Sequence, residues 1–134
     1  MMMNLPYVTA FYAALLGLMG VALTAQVIIG RGKFAVTAGD GGHAGMAQRI
    51  RAHANFAEQV PLALLVLGFA EVSGAPKLAI HIVAIVLIVA RLFSAVALSG
   101  SLADTTGRRI GAGVTALTIV AASVLILLRM GDVI

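Results

Sequence analysis

The stretch Arg51-Ala52-His53-Ala54-Asn55-Phe56-Ala57-Glu58-Gln59-Val60-Pro61 opens on polar and ionisable residues, then passes directly into the apolar run Leu62-Ala63-Leu64-Leu65-Val66-Leu67-Gly68-Phe69-Ala70. From Ala52 to Val72 it is long enough for one helical crossing of a bilayer core, which takes about 20 predominantly apolar residues. His53, Asn55 and Glu58 nevertheless lie inside it. A charge near the centre of a membrane helix costs about 2.5–3.5 kcal/mol on insertion scales, so such residues turn towards other helices or a polar cavity. The stretch therefore predicts a spanning helix inside a helical bundle.

Three further apolar runs flank it. The first extends from Pro6 to Ile29 without a formal charge and ends at Gly30-Arg31-Gly32-Lys33, the third covers Leu78–Leu98 with Arg91 inside, and the fourth runs from Ile110 to Leu128. The expected architecture is all-α, an integral membrane four-helix bundle forming a single domain over residues 1–134. Its spans are roughly 6–29, 52–72, 78–98 and 110–128, with a long loop over 31–51. A cleavable signal peptide is the competing reading of the first run. No Lys or Arg precedes that run, and it is long enough to span by itself.

Composition supports lipid as the main solvent. Of 134 residues 61% are hydrophobic and 10% charged, against about 25% charged in a typical soluble domain, and the mean hydropathy is +1.08. A large soluble domain is excluded. Nine Lys/Arg against five Asp/Glu give a net charge of +4, but basic residues this sparse form no patch suited to nucleic acid. The chain has no Cys, so any thiol chemistry must use a sulfur brought by a ligand.

Basic residues also set an expected orientation. Arg31, Lys33, Arg49 and Arg51 follow the first span, and Arg108 and Arg109 follow the third. These loops are expected in the cytoplasm, with both termini on the opposite side. In the first loop Gly39-Asp40-Gly41-Gly42 lacks the spacing and the Lys-Ser/Thr ending of a phosphate-binding loop, and reads as a surface turn in which Gly supplies positive φ.

The chemistry concentrates on the second span. Arg51, Asn55 and Glu58 are spaced i, i+4, i+7, which puts them on one helical face within two turns. A guanidinium clamps a carboxylate in bidentate fashion and a carboxylate accepts from an ammonium, so this face suits a zwitterionic or multiply charged ligand. Arg91 needs an acceptor at membrane depth. Glu58 is the expected partner, either as a packing ion pair with Arg51 snorkelling to the interface, or with Arg91 holding Glu58 ready for the ligand. His43, His53 and His81 make no two-ligand spacing on one helix, so no metal site is expected. Glu71 reads as a solvated interfacial residue. Gly107 and Gly111 form a small-xxx-small pair that suggests close packing of the fourth span. Four helices enclose little space, so a ligand site is expected between subunits.

The pattern Arg51-x-x-x-Asn55-x-x-Glu58-x-x-Pro61 resembles the second-helix signature of the MAPEG family, the membrane-associated proteins in eicosanoid and glutathione metabolism. Four spans, a long first cytoplasmic loop and an arginine in the third span extend the likeness over nearly the whole chain. The Gly39–Gly42 turn is similar to that of the small bacterial inner-membrane branch. The resemblance implies a homotrimer with glutathione as co-substrate at the subunit interfaces, a lipophilic small molecule arriving from membrane lipid, and no metal. It implies that Arg51, Asn55 and Glu58 hold glutathione with support from Arg91 and Arg31, and that Arg109, or alternatively Arg108, stabilises the thiolate. The implied function is a glutathione-dependent transferase or peroxidase acting on lipophilic electrophiles. The chain also departs from the pattern: Ser94, Leu98 and Gln59 stand where active members resemble one another in carrying His or aromatic residues. A non-catalytic membrane protein that binds lipid or glutathione is thus the alternative. A small proton-coupled exporter is a third reading, weakened because the first span carries no carboxylate.

Overall fold

A computed structural model of the chain describes residues 5–100 and 106–132, and side chains within them for 5–96 and 109–132. It contains four helices: α1 (Tyr7–Phe34), α2 (Ala44–Val72), α3 (Lys77–Gly100) and α4 (Thr106–Met130). All four are long and apolar enough to cross a membrane. The all-α membrane bundle expected from the apolar runs is the observed fold.

Helix pairing follows the chain. Neighbours α1–α2, α2–α3 and α3–α4 pack together, α2 also meets α4, and α1 also meets α3. Among the described residues α1 and α4 do not touch, so they flank a central α2–α3 pair. The interior is built from Leu16, Val60, Ala63 and Leu87 at mid-depth and from Tyr12, Leu67, Ala70, Ile80, Ala84 and Ala122 nearer one end. Phe11, Leu18, Val21, Leu65, Phe69 and Val89 lie outward, as expected where the solvent is hydrocarbon.

The helices overrun the expected spans, furthest at the C-terminal end of α1 and the N-terminal end of α2. α1 continues through Arg31 and Lys33 and stops at Ala35, whose φ of 52° is left-handed and whose amide donates to the Arg31 and Gly32 carbonyls. α2 begins at Ala44 rather than Ala52, so the connection between them shrinks to residues 35–43. The physical reason is that hydropathy marks the hydrocarbon, whereas a helix can persist into the headgroup layer, where cations in a last turn interact favourably with its free carbonyls. In the connection Gly39, Gly41 and Gly42 all have positive φ, and Asp40 Oδ1 accepts from the Gly42 amide at 3.0 Å.

At the end of the bundle near Tyr7, called here the far end, the structure overturns the reading of Glu71 as solvated. Its side chain is buried, and it accepts from the Val8 amide (2.9 Å), the Thr9 amide (2.7 Å) and the Thr9 hydroxyl (2.7 Å). These amides belong to the first turn of α1, which follows Pro6 and has no side-chain cap of its own. A helix start leaves its first N–H groups without intrahelical acceptors and carries partial positive charge, so a carboxylate from a neighbouring helix satisfies both. Two more links close this end. The Tyr12 hydroxyl and His81 Nδ1 are 2.9 Å apart, and Arg129 Nε donates to the Ser73 carbonyl at 3.4 Å.

Candidate functional site

The opposite, basic end is organised around Arg91. This residue is 2% exposed, and burial of a guanidinium is tolerable only where its donors find acceptors. Nη1 donates to Asn55 Oδ1 on α2 at 2.8 Å, while Nη2 donates to the Gly111 carbonyl on α4 at 2.7 Å and to Ser94 Oγ one turn along α3 at 3.2 Å. The Gly111 carbonyl also accepts from Thr115 Oγ1 at 2.9 Å. One side chain thus ties three helices, with Nε left as a buried donor that has no acceptor among the described residues.

This arrangement requires close helix approach. A Cβ built on Gly111 would overlap Ser94 Oγ and lie 3.2 Å from the Ala90 carbonyl oxygen. Gly111 therefore behaves as the small-residue contact expected of the fourth span, while the side-chain surroundings of Gly107 lie outside the described residues.

The expected Arg91–Glu58 ion pair does not form. Glu58 is exposed and its side chain makes no hydrogen bond or ion pair among the described residues, and the Nη1 and Nη2 atoms of Arg91 donate to neutral acceptors. Helix geometry explains the difference. Three residues of α-helix turn through a full circle less about 60°, enough to bring Asn55 to the inner edge of α2 and rotate Glu58 outward.

Arg51, like Glu58, is exposed, and half-buried Asn55 lies between them. Asn55 spends its side-chain oxygen on Arg91, and its amide N–H groups make no hydrogen bond among the described residues. At about 1.5 Å per residue, Arg51 is roughly 30 Å along α2 from Glu71, one hydrocarbon thickness, and Glu58 is about 10 Å deeper. The face thus runs from the membrane boundary inward, with Leu62, Leu65 and Phe69 exposed beyond it.

The other candidates are dispersed. Arg31 is half-buried and its Nη1 donates to the Gly39 carbonyl at 3.3 Å, tying α1 to the following turn. Arg109 is exposed in the first turns of α4, in the same layer as Gly111. The side chains of Arg108 and Leu98 lie outside the described residues. Ser94 is buried and holds Arg91, and Gln59 keeps its Oε1 buried without a partner among the described residues. An apolar groove of about 340 Å³ runs between α3 and α4 along Val86, Val89, Phe93, Ile110 and Val114, with Gly111 in its wall.

A family model described as the MAPEG family matches residues 9–128. The chain belongs to the MAPEG family. Inner membrane protein YecN of Escherichia coli K12 is 36% identical to this MAPEG protein over 85 residues, which is 63% of this chain and 65% of the relative. YecN of E. coli O6:H1 strain CFT073 matches equally. Each alignment thus spans just under two thirds of the relative's own length. With four membrane-length helices and inner-membrane relatives, this MAPEG protein is a multi-pass inner-membrane protein.

Sequence reasoning missed two parts of the site. Ser94 lies three residues after Arg91, a spacing that places them on one helix face and could have nominated it as an acceptor. The Gly111 carbonyl carries no side-chain signal, because only the α3–α4 contact brings it into reach.

Proposed function

We propose that this MAPEG protein is a glutathione-dependent transferase or peroxidase acting on lipophilic electrophiles, assembled as a homotrimer with its basic end in the cytoplasm. The observation that carries the reading is the polar face of α2: Arg51 and Glu58 uncovered on either side of Asn55, which Arg91 fixes from behind. Arg51 clamps a carboxylate of glutathione, Glu58 accepts from its ammonium, and the Asn55 amide donates to a further oxygen. A single subunit leaves this face open, which favours a partner subunit as the opposite wall. Arg31 of α1 is a further clamp at the boundary.

Arg109 takes the thiolate role, with Arg108 as its alternative. A thiol has a pKa of about 8.5, and a nearby guanidinium favours the ionised, nucleophilic sulfur. Attack on an electrophilic carbon forms the thioether and expels the leaving group. On a hydroperoxide, the sulfur takes the terminal oxygen, the O–O bond breaks, and the alkoxide collects a proton; a second glutathione then displaces water to give the disulfide. The α3–α4 groove beside Gly111 offers an apolar approach for the second substrate.

The test is conjugation of a model aryl halide by the purified protein and by Arg109→Ala and Arg108→Ala. Turnover that falls at least tenfold in one of them, with glutathione affinity kept, supports the assignment; undiminished turnover in both removes it. A second reading, glutathione or lipid binding without turnover, is favoured by Ser94, whose hydroxyl is committed to Arg91 rather than turned to a ligand. Glutathione binding with no conjugation by the wild type would select it.

A further inference from the structure

A separate cavity of about 390 Å³ lies between the C-terminal end of α1 and the N-terminal end of α2, walled by Gln26, Lys33, Phe34, Gln48 and Arg49. We propose that it is a binding site for a phosphate group at the basic membrane boundary. The proposal is independent of the glutathione reading, since none of Arg51, Asn55, Glu58 and Arg109 lines this cavity.

Arg49 is held in place, and Lys33, although exposed, lies near an aromatic ring. Arg49 lies across α1 where Gly30 leaves room, for a Cβ on Gly30 would come within 2.7 Å of Arg49 Cδ. Arg49 Nη1 donates to the Gln26 carbonyl at 3.0 Å, which fixes the guanidinium plane and leaves its other N–H groups available. Lys33 Nζ stands 5.5 Å from the centroid of Phe34, whose ring stacks on His43 at 4.9 Å.

Among the described residues no carboxylate lines the cavity. Asp40 accepts from the Gly42 amide in the turn, Glu71 caps α1 at the far end, and Glu58 faces outward. Two cations with two amide side chains therefore await an anion with several acceptor oxygens. A phosphate fits, because it can accept from a guanidinium fork and from an ammonium together.

Depth points the same way. At about 1.5 Å per residue, Lys33 is roughly 39 Å along α1 from Tyr7, beyond the ~30 Å of hydrocarbon and at headgroup level. The phosphate can come from an anionic lipid headgroup or from a soluble phosphoester.

The test uses the full chain, delipidated in detergent, with phosphatidylglycerol or phosphatidylcholine added and retention read by native mass spectrometry. Inorganic phosphate and glycerol phosphate are titrated in parallel by calorimetry. Lys33→Gln should weaken the bound phosphate about fivefold, the value of one cation near an anionic surface. Gln48→Glu, which keeps both cations but adds a carboxylate, should weaken it further. Thermal melting of each variant checks that it is folded, and Glu58→Gln should leave retention unchanged. Variant-sensitive retention of phosphatidylglycerol over phosphatidylcholine identifies a lipid source, and variant-sensitive binding of the small phosphates identifies a soluble one. Equal retention of both lipids, unaffected by either substitution and with no variant-sensitive phosphate binding, overturns the proposal.

Discussion

Arg91 on α3 donates to Asn55 on α2 across 2.8 Å, so the residue that fixes the bundle interior also fixes the middle of the polar face that α2 turns outward. Removing one partner of such a contact leaves the other buried without it, and hydrogen bonds to a charged group are worth about 1.5–3 kcal/mol. Asn55→Ala should therefore lower stability by roughly that amount, read as a shift in the reversible unfolding midpoint in detergent. A midpoint equal to wild type would show that Arg91 is satisfied without Asn55.

Gly111 makes the same layer possible. Gly111→Ala inserts a Cβ into Ser94 and close to the Ala90 carbonyl, and overpacking of this kind typically costs about 1–3 kcal/mol. Ser94→Ala added to Gly111→Ala should recover part of that loss, since the hydroxyl is the nearest atom removed. The comparison needs the two single variants and the double variant in one unfolding series. Strict additivity would argue against a shared contact.

At the far end, Glu71→Ala should destabilise by about 2–3 kcal/mol, because it strips the acceptor from two amides of the first α1 turn. Thr9→Val removes only the hydroxyl bond and should cost about 1 kcal/mol. Hydrogen exchange offers a local check: the Val8 and Thr9 amides should lose protection in Glu71→Ala before the rest of α1. Unchanged protection would mean that the carboxylate does not cap the helix.

The sequence made four spans legible because lipid leaves a composition that no soluble surface shares, and it made the Arg51–Asn55–Glu58 face legible because helical spacing is a local property. What it left open was azimuth and reach. Asn55 and Glu58 are three residues apart and share a face by spacing, yet only Asn55 turns far enough inward to meet Arg91. Glu71 looked solvated because its acceptor role is filled by backbone amides distant in sequence, which no residue pattern encodes. Arg49 and Lys33 read as loop charges until α1 and α2 proved to continue past the hydrocarbon and enclose a cavity between them.

The most direct measurement is a calorimetric titration of glutathione into the detergent-purified protein, repeated with Arg51→Ala and Glu58→Gln. The expected result is saturable binding in the wild type, with each substitution weakening it roughly tenfold, about 1.4 kcal/mol for a lost charge-assisted contact. No heat of binding at millimolar glutathione, or the same affinity in all three proteins, would contradict the assignment of the α2 face as the glutathione site.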